Sequence, residues 1–394
     1  MFIDGVGQKN YVLKGGISSQ DSSRGSPFPQ MAIAEYKVIT QNYKAEFDQI
    51  SSAAVTAVTR SGGNEFEGSV FYDRTSDNWR ASTPREIDSG TKPETEDEQY
   101  GFSFGGPIVR DLLHYFVTYE KKEILSPRDI IPGENFQASQ LPPEYASQVG
   151  PTNSPFDLDL FFGKLSFAPG DEHLFELTAK YRTESEITGI GGTNARSYAS
   201  SKDNDETRID LRHQFSGASF LNDAHLTFED AYWNPRPLTL GNGSRLTTAD
   251  RRGILNIGGG QDFQDKGQRG IGFQNDLTYF DFAWQGDHTI KAGVKYKAVR
   301  VDAFEQQPYN PQFFYDISQS TSVPYRVEFG AVVPGISDRN ITSRNKQFGI
   351  YLQDDWQVND RLTLNLGLRW DYEETPGYLD YVTRPDLAIV DLPV

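Results

Sequence analysis

From Glu65 onward the chain repeats one pattern, segments of about ten residues in which apolar and polar side chains alternate. Successive side chains of a strand point to opposite faces, so each segment predicts a strand with two unlike faces. Phe66, Gly68, Val70 and Tyr72 share one face of the first, Tyr100, Phe102 and Phe104 one face of the second. Leu113, Tyr115, Val117 and Tyr119 mark the third, and Phe161, Gly163, Leu165 and Phe167 the fourth. The fifth sets Phe175, Leu177, Ala179 and Tyr181 against Glu176, Thr178, Lys180 and Arg182. The sixth sets Ile209, Leu211 and Phe215 against Arg208, Asp210 and Arg212. Further segments carry Leu226, Phe228 and Tyr232, then Ile271, Phe273, Leu277 and Tyr279, then Ile290, Ala292, Val294 and Tyr296, then Phe348, Ile350, Leu352 and Trp356. In the eleventh, Leu362, Leu364, Leu366, Leu368 and Trp370 oppose Thr363, Asn365, Gly367, Arg369 and Asp371.

The connections alternate as well. Short ones at 107–112, 169–172, 216–222, 283–287 and 359–361 are interleaved with long ones at 73–97, 123–158, 183–203, 234–266 and 300–345. Short turns on one side and long loops on the other are the habit of bacterial outer-membrane barrels, and a β-sandwich has no reason to keep that parity. Aromatic residues near strand ends (Tyr72, Tyr119, Tyr181, Trp233, Tyr279, Tyr296, Trp356, Trp370) suit the membrane interface, whereas sandwich-core aromatics would fall mid-strand. The fold class expected is all-β: a transmembrane antiparallel barrel, present as about half of a roughly 22-strand barrel or as an open curved sheet.

Residues 1–63 differ, being rich in Ser, Ala, Thr, Gly and Val. They predict short strands at 36–40 and 53–59 and an aperiodic loop at 15–29. The expected division is the C-terminal part of a small domain at 1–63 and the N-terminal half of the barrel at 64–394.

Composition narrows the chemistry. A formal net charge of −17 gives nucleic-acid binding no electrostatic support. The absence of cysteine removes disulfides and thiolate metal sites. The mean hydropathy of −0.59 would suit a soluble protein, but alternating strands keep that average low in a membrane barrel too. No Gly-x-Ser-x-Gly or His-Glu-x-x-His motif occurs, and the histidines at 114, 173, 213, 225 and 288 are scattered. Asp354 and Asp355 are neighbours in a strand, so they point to opposite faces and cannot work as a carboxylate pair. Asp203 and Asp205 could contribute to a calcium site, though two acids in a loop are ordinarily just solvated. The chain is expected not to be an enzyme and to need no cofactor or metal.

Pro29–Asp48 and Ala53–Gly68, which contains Thr59-Arg60-Ser61-Gly62-Gly63-Asn64, resemble the C-terminal part of the plug of TonB-dependent outer-membrane receptors. The branch with a carboxypeptidase-regulatory-like domain, the Oar-like proteins, is the most similar. Phe2-Ile3-Asp4-Gly5-Val6 is similar to an earlier plug strand, and Tyr351–Trp356 with Arg361–Trp370 to a barrel hairpin of the same family. Ala53 and Ala54 stand where many relatives have glycines. The energy-coupling box, the first plug strands, the signal peptide and the closing half of the barrel are not found, so the chain is expected to be a fragment.

The resemblance implies a Gram-negative outer-membrane transporter. It would bind an unidentified substrate at extracellular loops and plug, and would be energised by a TonB-type protein acting through the missing N-terminal region. Its partners would be outer-membrane lipid, that protein and the ligand. A structural or adhesive barrel, or a secreted β-rich glycan-binding protein, are the alternatives. Small residues at 51–59 fit a plug packed against a polar wall, and Glu176, Lys180, Arg182, Arg208, Asp210, Arg212, Lys291, Lys295 and Arg369 are the charges expected on that wall. Arg60 and Arg369 are candidate plug–barrel contacts. Tyr11, Asp21 and Arg24, on the apex loop, and Tyr309, Phe313, Phe314 and Tyr315, in the last long loop, are candidate substrate-binding residues; such aromatics equally often just pack a loop.

Overall fold

The computed structural model describes residues 1–9, 24–41, 43–48, 53–82, 84–90, 92–330 and 340–374. The alternating segments form one antiparallel meander of eleven strands. These are β5 (Glu67–Ser76), β6 (Glu96–Val109), β7 (Leu113–Ile130), β8 (Gly150–Gly170), β9 (His173–Thr188), β10 (Ser200–Ser216), β11 (Phe220–Pro237), β14 (Phe263–Ala283), β15 (Asp287–Gln306), β18 (Asn340–Asn359) and β19 (Leu362–Glu374). Among the described residues β5 and β19 each pair on one side only, so the sheet is open.

The strands are longer than the alternation suggested, up to 21 residues. A membrane crossing needs only about 9–11. Above that height the outer face no longer meets lipid, so the outward apolar rhythm ends, but backbone pairing continues. The connections expected at 123–158 and 300–345 shrink accordingly, and the ladders run on through Ile130↔Gly150 and Phe304↔Asn340.

The N-terminal residues form a separate sheet in the order β2 (Val6–Gly7), β1 (Phe2–Ile3), β4 (Ala54–Thr59), β3 (Ile33–Ile39). Asp4 and Gly5 have φ of 48° and 89°, the geometry a two-residue hairpin with a type I′ turn requires. This inner unit touches Glu120 on β7 and Arg369 on β19. Ten strand spacings would span about 48 Å if flat, so the large sheet must curl around the unit to reach it from both ends.

Two long connections build a third sheet, β13 (Gly253–Gly258), β12 (Gly243–Thr247), β16 (Gln312–Asp316) and β17 (Arg326–Glu328). Its β12 and β16 pair in parallel. A third connection adds the short helix α2 (Pro143–Ala146); α1 (Pro84–Ser89) lies in the first. Leu246, Ile254 and Leu255 pack with Ile130, Leu141 and Tyr145 in a core of their own. The long loops thus form a folded cap at one end of the sheet.

Outward positions carry the apolar residues: Phe102, Leu177, Ile271, Leu352 and Leu368 are all exposed, as a lipid-facing surface would be in isolation. Asp354 falls on this face, as its alternation demanded. His288 Nδ1 lies 2.7 Å from its Oδ2, and the imidazole stacks on Trp356, which places the pair beside the short turn. His173 and His213, far apart in sequence, also meet on this face, 3.1 Å between ring nitrogens, because β9–β10 pairing sets His213 opposite Phe175.

Candidate functional site

The inner unit is docked in two different ways. On β7 and β8 the contact is apolar. Ile3, Phe28, Ala32, Ile33 and Ala57 pack with Phe116 and Phe162, and the Phe28 and Phe162 rings lie 5.3 Å apart. Phe156, Leu158 and Leu160 extend this inner stripe and are all buried. This corrects the expectation of a uniformly polar wall. The signal was present in Phe156-Asp157-Leu158-Asp159-Leu160-Phe161-Phe162: apolar residues occupy even positions up to Phe162 and odd ones from Phe161 on. The alternation changes phase where the strand leaves the membrane, so its outer face turns polar and its inner face apolar.

Elsewhere the docking is ionic. Asp4 accepts hydrogen bonds from Thr59 N (2.8 Å) and Lys164 Nζ (3.2 Å). The ion pairs then run across four strands from Lys164 to Glu176 (3.5 Å), Arg212 (3.0 Å), Asp223 (2.6 Å), His225 (3.3 Å) and Asp210 (3.0 Å). Lys180, buried, donates to Pro27 O (3.1 Å) and Glu206 (2.6 Å), and Arg208 joins Glu206 to Glu229. Residues 44–48 are clasped by β15, β18 and β19. Lys44 pairs with Asp355 (2.6 Å), Glu46 with Lys291 (2.9 Å), and Asp48 with Lys295. Ala45 N donates to Gln353 Oε1, and its carbonyl accepts from Arg369. Burial alone would push the Asp48 carboxyl up; Lys295, with Arg369 behind it, holds it below its ordinary range. A cavity of about 200 Å³ remains between unit and wall, lined by Phe2, Phe47, His225, Lys295 and Tyr351 among others.

The expected wall charges therefore do face inward, and Arg369 reaches the inner unit. Arg60 does not reach the wall: it is exposed, its N–H donates to Ala32 O, and among the described residues its guanidinium meets no barrel side chain. Tyr11 and Asp21 lie outside the described residues. Arg24 is taken up by the wall, hydrogen-bonded to Ser126 and Glu186 and 5.5 Å from the Phe156 ring centre. The four loop aromatics are not one platform. Phe313 and Tyr315 share a face of β16 and Phe314 takes the other. Tyr315 packs on the cap core, Phe314 lies beneath Arg326 (3.9 Å), and Tyr309 stacks on Phe263 (4.7 Å). Trp233, expected at the membrane interface, sits instead on the inner face with Glu229 and Ala231, and Lys266 Nζ lies 5.4 Å from its ring. Among the described residues no group of three or more His, Asp or Glu is placed to hold a metal ion.

Comparisons with known proteins agree with this geometry. A family model described as an outer membrane beta barrel domain matches residues 58–131 and 128–380. The TonB-dependent transporter Oar of Myxococcus xanthus is 23% identical over 94% of this chain and 43% of its own length. Among solved structures, the outer membrane transporter YddB of Escherichia coli superposes with a TM-score of 0.66 at 13% identity, covering 94% of this chain and 48% of that one. The siderophore receptor PirA of Acinetobacter baumannii gives 0.63 at 15% identity, covering 94% and 48%. The ferric enterobactin receptor PfeA of Pseudomonas aeruginosa, a mutant form, gives 0.62 at 18%, covering 95% and 49%. The chain thus spans about half the length of the proteins it matches, and these are transporters and receptors, not enzymes. With an open β-meander wrapped around an inner sheet, apolar outside and charged within, this chain belongs to the outer-membrane β-barrel domain family, with the fold of TonB-dependent receptors in the cell outer membrane.

Proposed function

We propose that residues 1–63 are the C-terminal part of a plug and the rest the first half of the barrel of an active outer-membrane transporter. A ligand binds among the long loops and the plug, and a TonB-type protein supplies energy from the inner membrane. The observation that carries this is the docking of the inner unit by remakeable contacts inside the sheet. A barrel wide enough to need about 22 strands would leak unless its lumen were filled. A purely structural barrel needs a seal but no clasp of exchangeable ion pairs such as that around residues 44–48.

The test uses the full-length protein in cells, with labelled candidate ligands. Uptake is expected to stop, while surface binding persists, when a protonophore collapses the proton gradient or the TonB-type gene is deleted. Binding without any energy-dependent uptake would favour the structural or adhesive alternative, for which the folded cap would be the natural contact surface.

A further inference from the structure

The outer face changes character towards its long-loop edge. Arg269 on β14, Arg300 on β15 and Arg344 on β18 stand directly opposite one another across two successive ladders. All three are exposed. Each lies two outward steps beyond Phe273, Tyr296 and Phe348, an aromatic row paired in the same register. From Tyr279, beside the short turn, to Arg269 is eleven residues, about what a tilted strand needs to cross a bilayer. The arginines therefore sit where acyl chains end and headgroups begin, on the surface that meets lipid.

Opposite side chains on paired strands stand about 5 Å apart, and like charges so placed destabilise a sheet. The protein's own carboxylates do not remove the conflict. Arg269 gives Nε and Nη2 to Asp230, its partner on β11. Arg300 gives Nε and Nη2 to Asp302 (3.1 and 2.9 Å). Asp302 also feels Arg344, which forms no ion pair of its own among the described residues. One step nearer the aromatics, Lys346 pairs with Glu374 (3.2 Å). Four cations thus share three carboxylates, and the row keeps a surplus of positive charge. A phosphate fits it: it brings the missing negative charge and accepts two N–H bonds from one guanidinium at once. Beneath the row Ile271 and Phe273 are exposed, an apolar track for acyl chains. A soluble anion would use the arginines alone, whereas a lipid uses both.

We propose that Arg269, Arg300 and Arg344 hold the phosphorylated headgroup of a lipid in the leaflet on the long-loop side. The site requires only that the barrel sit in the membrane, whether or not it transports. The test uses the full-length protein purified in detergent. The probes are a bisphosphorylated, acylated disaccharide, the same lipid stripped of its phosphates, and inorganic phosphate. Arg344→Gln removes the cation that lacks a carboxylate of its own, and the combined variant Arg269→Gln, Arg300→Gln, Arg344→Gln clears the row. Lys121→Gln is the control, since Lys121 also lies on the outer face towards the long loops but is surrounded by Glu123, Asp157 and Asp159. The phosphorylated lipid is expected to bind, Arg344→Gln weakening it about tenfold or more and the combined variant abolishing it. Lys121→Gln should bind as wild type does, and the stripped lipid should not bind. The heat-modifiable, folded yield of Arg344→Gln should equal wild type, so the single variant decides even where the combined one fails to assemble. No binding of the phosphorylated lipid, equal binding of the stripped lipid, inorganic phosphate binding as tightly as the lipid, an equal loss from Lys121→Gln, or undiminished binding by Arg344→Gln would each overturn the proposal.

Discussion

At the residue scale, one step along β19 decides whether a charge is tolerated. Leu366 is exposed on the outward face with Leu368 and Trp370, while Arg369 points inward to Ala45 O and Asp48. In the full-length protein Leu366→Arg is expected to cost about 2–4 kcal/mol if it lies near the bilayer midplane. The heat-modifiable, assembled fraction should fall steeply, whereas Asn365→Arg should leave it close to wild type. Equal losses would contradict the assignment of faces. Asp48 gives a pH dependence with a definite sign. Its folded-state value is depressed, so its contribution is complete above the ordinary carboxylate value and is lost as pH falls through the lower one. The clasp around 44–48 should hold from neutrality to about pH 4 and open only below it. Hydrogen exchange at the Ala45 amide, which donates to Gln353, reports this; opening already near neutrality would show that Lys295 does not control Asp48.

At the scale of elements, the two modes of docking differ in strength. Phe162 is buried between Phe28 and Phe116, so Phe162→Ala is expected to weaken docking of the inner unit by about 3–5 kcal/mol. Lys44 and Asp355 are both partly exposed, and Lys44→Ala should cost no more than about 1 kcal/mol. Denaturant-dependent exposure of residues 24–39 to protease measures both, and a larger loss from Lys44→Ala would reverse the ranking. The cap makes a similar claim. Leu246 is fully buried in its core, so Leu246→Ala is expected to cost about 2–5 kcal/mol and open the cap connections to protease added outside intact cells. The short turn after Asn359 should stay uncut in both proteins, since it lies on the opposite side of the membrane; cleavage there would invert the topology. Alternation made the strand count and the facing of Leu177 or Leu368 legible. It did not show the extensions above the membrane, because the lipid-facing rhythm ends there: in β8 the apolar face passes from Phe161 and Leu165 outside to Phe156, Leu158 and Leu160 inside.

At the scale of the molecule, an open sheet in a membrane is not a stable end state. Each backbone polar group in lipid needs a partner, and only closure removes the edges. Among the described residues β5 and β19 are both such edges, with Val70 and Leu368 exposed on them. These 394 residues expressed alone are therefore expected to aggregate or be degraded. A monodisperse, heat-modifiable, protease-resistant species in detergent would replace the half-barrel with a smaller closed one.

What the sequence determined by itself is local and periodic. Period-two alternation reports which face of a strand meets lipid, because the bilayer imposes the same demand on every strand at the same height. The small residues of β4 were likewise legible, since side-chain size acts without distant partners, whereas Phe2–Val6 resembled a single strand and is instead broken by the turn at Asp4-Gly5. Contacts between the inner unit and the wall were not. Lys164 meets Asp4, and Asp48 meets Lys295, only because the sheet curls until residues 160 and 247 positions apart share one lumen. The same curling spent Arg24 on the wall and left Arg60 outside the docking, whereas alternation along β16 alone divided Phe314 from Phe313 and Tyr315. Alternation says that a side chain faces inward, but what it finds there is decided by the register and curvature of the whole sheet.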